Sequence, residues 1–372
     1  MKIAVVGSLE LPQAQGGVTR HCEEVYARLA ADGHEVTVLC AGGPKPDVDY
    51  RGMRVRRLRT ASGPGWERLT YAIRAGIAAT LGDFDVVHYH SFASSALCML
   101  PKLRRRRRVV TTAHRVEWQD AKWGRATRWF LRYCEWAAIR FSDALMAVSQ
   151  ALKDDLVSRH ASAADTVVVS NGITRPEPAH ASLLDTLGLE PGRYLLVVGR
   201  LVPEKGVDIA IAAELLHLAR HDDQVDLVVV GGGRRPGSAI EHDLRAQARD
   251  AGSRVHFLGI QESPVVTLLY DHALALLAPS YHEGQPLVVS EAMAASCCVL
   301  ASDIAAHLEL LDDTGRFFPV GNAAALADAI DWVLDHPDDA RALGRRAAER
   351  ISTGSYSWDE TARVTEAVLA AR

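Results

Sequence analysis

Residues 2–40, KIAVVGSLELPQAQGGVTRHCEEVYARLAADGHEVTVLC, contain a complete strand–helix–strand unit. KIAVVG (2–7) is a short, continuous apolar run with β-branched content, read as a buried first strand. A long loop follows. Val18, Cys22, Val25 and Leu29 then recur at three- and four-residue spacing and mark one face of a helix from Val18 to Ala31. Gly33 ends that helix as a C-cap, and EVTVLC (35–40) is the next strand. This spacing is a βαβ unit.

The same rhythm continues outward. Further strands are expected at 53–58, 85–89, 108–112, 143–148 and 166–170, with helical stretches between most of them. Their largely apolar, non-alternating pattern predicts a parallel sheet buried on both faces. Residues 171–192 change character, with Pro176, Pro178 and Pro191 and little periodicity before a short helical segment, and read as a linker. A second series of strands begins with YLLVVG (194–199) and continues at 226–233, 254–259, 273–279 and 297–302. Val207, Ile211, Leu215 and Leu218 fit one face of an intervening helix. The fold class is therefore α/β, with two doubly wound, Rossmann-like domains. We place the first at 1–172, the linker at 173–192, the second domain at 193–355 and a last helix at 356–372. Ligands in such sheets bind beyond the carboxyl ends of the strands, so the expected site is a cleft where two domains face each other.

Composition limits the function. The 372 residues, 48% hydrophobic and 24% charged, fit a globular protein of two or three domains. A net charge of −4 argues against a protein built to coat nucleic acid. Six cysteines without a CxxC pair fit neither a disulfide scaffold nor a zinc ribbon and point to a reducing compartment. No stretch reaches the ~18 uninterrupted apolar residues of a membrane helix. The first strand is too short for a signal peptide, so the cytoplasm is expected.

Three segments carry chemistry. A dinucleotide fingerprint would put GxGxxG directly after the first strand, whereas Gly16 and Gly17 come well beyond Gly7, which disfavours a nicotinamide enzyme. Gly16-Gly17 ahead of a helix is either a flexible turn or an anion cradle of bare amides. VVGRLVPEKGVD places Arg200 and Lys205 after a strand end. They form either a solvated surface network or a pair of cations for a diphosphate. APSYHEGQPLVVSEAMAA (278–295) sets Glu283 in a loop, Pro286 at the expected first helical position and Glu291 inside the helix. The amides near Gln285, Leu287 and Val288 would be free for phosphate. Carboxylates beside a bound phosphate suit sugar hydroxyls, which donate to them.

Taken together, these segments resemble the family-four retaining glycosyltransferases of the GT-B fold. The resemblance rests on the E-x7-E arrangement of Glu283 and Glu291, on GRLVPEKGVD (199–208), on GGVTRHCEEVYARLAADGHEVTVL (16–39), on SNGI (170–173) and on SYSWDE (355–360). It implies that Arg200 and Lys205 neutralise a donor diphosphate, Glu291 holds the ribose and Glu283 the transferred sugar. Gly284, Gln285, Pro286 and Leu287 would line the donor, and Gly16 and Gly17 would approach its phosphate from the other domain. His114 would stand beside the reacting face of the sugar, His90 on the acceptor side, and the last helix would return to the N-terminal domain. HRVEWQDAKW (114–123) is similar to rhamnosyltransferase-like bacterial members. His114 also reads as a core or capping histidine, and a structural role for His88 and His90 stays equally open.

The implied reaction moves a sugar from a nucleotide diphosphate, UDP favoured, to a hydroxyl of a saccharide, lipid-linked or small-molecule acceptor, with retention. No DxD-like pair sits at a suitable strand end; Asp83 and Asp85 suit a turn. Neither a metal nor another cofactor is expected. A sugar-nucleotide epimerase and a non-catalytic sugar-nucleotide sensor are the competing readings. The run Arg104–Arg108 is either a solvated turn or a dock for anionic lipid.

Overall fold

The computed structural model describes residues 1–8, 11, 16–42, 46–61, 66–104, 107–120, 123–221, 225–233, 238–249, 254–353 and 355–371. The chain divides into two units, Met1–Gly172 with Tyr356–Arg372, and Ile173–Ser355. In the first unit the apolar runs become β1 (Lys2–Val6), β2 (Glu35–Ala41), β3 (Val48–Tyr50), β4 (Met53–Leu58), β5 (Val86–His90), β6 (Arg108–Ala113), β7 (Ala144–Ala147) and β8 (Val167–Val168). They form one sheet in the order β3-β4-β2-β1-β5-β6-β7-β8. β5 is buried along its whole length, as a strand covered on both faces must be.

The expectation of continuous burial fails at β4. Met53 and Val55 are buried while Arg54 and Arg56 are exposed, because β4 lies next to the sheet edge. The edge strand β3, which no apolar run announces, pairs with β4 antiparallel. Arg51 and Gly52 link them with φ of 47° and 78°, the primed hairpin geometry that suits strand twist.

The final helix, Trp358–Ala370, packs on the helix Gly17–Ala31 of the same unit. Arg28 Nε donates to Asp359 at 2.6 Å, His34 Nε2 meets Glu366 at 2.8 Å, and Thr361 Oγ1 donates to the Ser170 carbonyl at 2.7 Å. Gly172 is required there: a Cβ would lie 2.2 Å from the Trp358 nitrogen.

Two members of the arginine run, Arg107 and Arg108, are half-buried and donate to backbone carbonyls of the same unit. Arg107 donates to the carbonyls of Ala79, Thr80, Gly82 and Phe84 and so caps the C-terminal end of the helix Trp66–Leu81. Arg108 Nε donates to the Val368 carbonyl at 3.1 Å. Arg104 is exposed, and Arg105 and Arg106 lie outside the described residues.

The second unit holds β9 (Tyr194–Val198), β10 (Asp226–Val230), β11 (Val255–Gly259), β12 (Ala275–Ala278), β13 (Val299–Ser302) and β14 (Arg316–Phe318), in the order β11-β10-β9-β12-β13-β14. Its described pairings are all parallel. The stretch read as a linker belongs to this unit and packs on it. The Ala179 amide donates to the Pro264 carbonyl, and the Gly192 amide to that of His272. The helix Ser182–Leu187 between them ends at left-handed Gly188.

One residue is out of place in the second core. Glu214, on the inner face of the helix Val207–Arg220, is fully buried, and neither carboxylate oxygen has a partner among the described residues. Burial, with a smaller contribution from Asp226, pushes its carboxyl up to about 8. No described helix is long and apolar enough to cross a membrane.

Candidate active site

In the second unit β9 and β12 are neighbours, so the loops leaving their carboxyl ends are brought side by side. After β9 the chain makes a single turn, Pro203–Lys205, and reverses through Gly206 at φ 63°. A Cβ on Gly206 would lie 2.1 Å from the Pro279 carbonyl oxygen, so only glycine lets the two loops approach this closely. The Tyr281 amide then donates to the Glu204 carbonyl at 2.9 Å and stitches the loops together.

That stitching joins two residues 78 positions apart: Lys205 Nζ donates to Glu283 Oε1 in a short ion pair. Ser280 Oγ donates to the same oxygen at 2.9 Å and is positioned in turn by Ser302 Oγ, which donates to the Ser280 carbonyl at 2.6 Å. Burial pushes the Glu283 carboxyl upward. Lys205, with help from His307 and Ser280, outweighs that and holds it below the usual carboxylate range. The pair is therefore charged, with both side chains mostly shielded (18% and 12% exposed). His307 donates from Nδ1 to the Ser302 carbonyl at 2.9 Å, and its Nε2 is buried without a partner among the described residues.

The helix Leu287–Ala294 starts beside this pair. Pro286 is its N-cap, one position earlier than expected, and its carbonyl accepts from the amides of Val289 and Ser290 at 3.1 and 3.2 Å. No acidic residue occupies the first turn, so the nearest carboxylate in sequence to the positive helix end is Glu283 in the preceding loop. Gly284 and Pro286 are buried, and Gln285 and Leu287 half-buried. Glu291 is half-buried within the helix, and Tyr270 Oη lies 3.4 Å from its Oε2. Arg200, past the end of β9, is exposed.

In the first unit the exposed Gly16 and Gly17 open the helix Gly17–Ala31, with Gly16 at φ 104° and no acidic residue in the first turn. The buried face of that helix carries His21, Cys22, Val25 and Tyr26 toward the ends of β5 and β6, where His88, His90 and His114 stand. His21 Nδ1 meets Asn171 Oδ1 at 2.7 Å, and its ring stands edge-on to His114 at 4.8 Å. Burial moves His21 to about 4 and His88 to about 3, and it holds His90 and His114 well below the usual histidine range. All four rings are neutral at neutral pH. Asp83 and Asp85 are occupied at the start of β5: Asp83 pairs with Lys2 Nζ at 2.7 Å, and Asp85 accepts from the Lys2 amide at 2.7 Å.

Ser280, His307, His21 and Tyr26 belong to no motif that marks them in the sequence. His21 lies three residues after Val18 and four before Val25, on the inner stripe of its helix. His307 shares the buried stripe of Ala306, Leu310 and Leu311. A polar residue on an apolar stripe was the available signal for both.

Residues 15–175 match the model of Glycosyltransferase Family 4, and residues 186–350 match that of Glycosyl transferases group 1. A phosphatidyl-myo-inositol mannosyltransferase of Mycolicibacterium smegmatis is 31% identical, over 92% of this chain and 87% of its own length. The chain belongs to the family-four glycosyltransferases. A glycogen synthase of Mycobacterium tuberculosis is 30% identical over 100% of this chain and 95% of its own. Among solved structures, sucrose-phosphate synthase from Thermosynechococcus elongatus superposes with a TM-score of 0.80 at 22% identity, covering 99% of this chain and 98% of that one. HepE from Anabaena in complex with UDP-glucose gives 0.80 at 20% identity, covering 99% of both chains. These structures share the GT-B fold with this glycosyltransferase.

Proposed function

We propose that this glycosyltransferase moves a hexosyl or deoxyhexosyl group from a nucleotide-diphosphate sugar, UDP favoured, to a hydroxyl of a saccharide, lipid-linked or small-molecule acceptor. Configuration is retained and no metal is required. The observation that carries the reading is the charged Lys205–Glu283 pair, braced by Ser280 beside a helix N-terminus with no acidic residue in its first turn. A cation beside a helix N-terminus suits a diphosphate, while a carboxylate held ionised there suits the sugar hydroxyls that donate to it.

In this reading Lys205 and Arg200 offset the negative charge that builds on the leaving phosphate oxygen as the anomeric carbon becomes oxocarbenium-like. The amides of Gly284, Gln285 and Leu287 assist, with Pro286 shaping the turn between them. Glu283 orients the transferred sugar and Glu291 the ribose. Gly16 and Gly17 bring backbone to the phosphate, His114 flanks the sugar and His90 lines the acceptor side. Retention follows from same-face attack assisted by the leaving phosphate, so neither carboxylate has to be a covalent nucleophile. The preference for uridine rests on HepE, whose structure holds UDP-glucose.

The test begins with thermal shifts against UDP-, GDP- and dTDP-sugars, since a bound donor raises the melting point by mass action. The donor selected is then assayed for transfer with chelator present, and the anomeric configuration of the product is read by NMR. Lys205→Met and Glu283→Gln should each lose donor stabilisation. No shift with any nucleotide sugar, or an inverted product, overturns the proposal.

A further inference from the structure

A chain of side-chain hydrogen bonds in the first unit ends at His114. Thr112 Oγ1 meets His88 Nε2 at 2.7 Å, and His88 Nδ1 meets Tyr26 Oη at 2.6 Å. Tyr26 Oη meets His90 Nε2 at 2.7 Å, and His90 Nδ1 meets His114 Nε2 at 3.0 Å. Thr112, His88, Tyr26 and His90 are fully sealed from solvent, and only His114 keeps any exposure, 7%. The chain therefore runs from the core outward.

Its proton arrangement can be counted. Each neutral imidazole carries one ring hydrogen, and the threonine and tyrosine hydroxyls carry one each. Tyr26 makes contacts with both His88 and His90 and has one hydrogen, so it donates to at most one of them. If it donates to His90, then His90 must donate from Nδ1 to His114, His88 must donate to Tyr26, and Thr112 must donate to His88. If it donates to His88, every bond reverses, and His114 must donate from Nε2 to His90. A third arrangement, with Tyr26 accepting from both histidines, also keeps a hydrogen in every contact, but it leaves the hydrogen of the buried tyrosine hydroxyl without an acceptor among the described residues and is set aside on that ground.

The inner end decides between the two. Thr112 Oγ1 is buried, and His88 Nε2 is its partner among the described residues. In the reversed arrangement the threonine hydroxyl would accept from His88 and its own hydrogen would be left in the core without an acceptor, a costly state for a buried polar group. In the outward arrangement that hydrogen goes to His88 and nothing is stranded. His21 does not compete, because its Nδ1 donates to Asn171 Oδ1 and its Nε2 makes no bond among the described residues.

We infer that Thr112, His88, Tyr26 and His90 are positioning residues that hold His114 as the Nδ1–H tautomer, making it a hydrogen-bond donor, and not a base, toward an oxygen of the nucleotide sugar. The tautomer follows from the chain alone; its use in transfer rests on the function proposed above. An aromatic hydroxyl on a helix, two histidines of β5 and a threonine of β6 thereby set the chemistry of one ring just past the end of β6.

Ring-nitrogen NMR of the full chain labelled with 15N-histidine tests the tautomer without any substrate. The His114 signals are assigned by their loss in His114→Gln. In the wild type, Nδ1 should be protonated and Nε2 bare. Thr112→Val removes the hydroxyl that sets the direction, and His114 should then divide between both tautomers. Thr112→Ser, which keeps the hydroxyl, should restore the wild-type pattern. With an active donor and acceptor, kcat should fall about tenfold in Thr112→Val and recover in Thr112→Ser, with KM for the donor unchanged. Tyr26→Phe, which cuts the chain at its middle, is the second variant should valine at position 112 prevent folding.

A wild-type His114 protonated on Nε2, or ring signals unmoved by these substitutions, overturns the tautomer assignment. A shifted tautomer with unchanged kcat overturns its use in transfer. Absence of transfer by the wild type with every nucleotide sugar overturns the proposed function instead, and leaves the tautomer result to stand on its own.

Discussion

Replacing Glu214 with Met should stabilise the second unit, and by an amount that depends on pH. In the folded chain the carboxyl stays protonated up to about 8, against an ordinary value of 4.5. Its contribution is therefore fully present below pH 4.5 and is lost as pH rises through about 8, since the unfolded chain gives up its proton first. At ~1.4 kcal/mol for each pH unit, the gap between 4.5 and about 8 bounds that loss at about 5 kcal/mol. Local relaxation and water entry reduce it, so the expected gain of Glu214→Met over wild type is about 2–4 kcal/mol at pH 8.5. Near pH 5 the difference should be small, because methionine fills a similar volume. Urea unfolding at pH 5, 7 and 8.5, with hydrogen exchange on β9, β10 and β12 to isolate the second unit, measures this. A difference between variant and wild type that is the same at all three pH values would refute the reasoning, because Glu214 would then be charged, or solvated, in the folded state.

Two further substitutions test other parts of the structure. Lys205→Met leaves Glu283 shielded without its cation and should cost about 3–5 kcal/mol. Adding Glu283→Gln should return most of that stability without returning donor binding, and thermal melts with and without nucleotide sugar separate the two effects. Arg107→Ala opens four carbonyls at the end of the helix Trp66–Leu81 and should destabilise the first unit by about 1–3 kcal/mol, read by chemical denaturation. Arg107→Lys should recover only part of it, because one ammonium cannot reproduce the forked donors of a guanidinium.

Buried parallel strands were readable in the sequence because they need no alternation: KIAVV and VVHYH announce β1 and β5 by composition alone. β3 was not, since three residues with one exposed carry no period and its turn residues, Arg51-Gly52, lack the usual asparagine or aspartate. The role of Arg107 was hidden for a related reason. A run of five arginines reads as a charged surface, and nothing local tells which guanidinium turns inward to meet a helix end. Lys205 and Glu283 were each visible as charged residues after a strand, but their contact depends on sheet order, which places β9 next to β12. The histidines of β5 and β6 stood out individually. Tyr26 did not, because a tyrosine on the inner face of a helix looks like packing until its hydroxyl is seen between two imidazoles.

The helix Trp358–Ala370 has a consequence for how the protein is made. It belongs to the unit that begins at Met1, and Asp359, Thr361 and Glu366 anchor it to residues that leave the ribosome hundreds of codons earlier. The amino-terminal Rossmann-like unit therefore cannot be completed until that helix has been synthesised. It waits, with one face of Gly17–Ala31 uncovered, for a helix whose Asp359 lies 331 positions after Arg28, so a nascent chain must carry that face unpaired through the synthesis of the whole second unit.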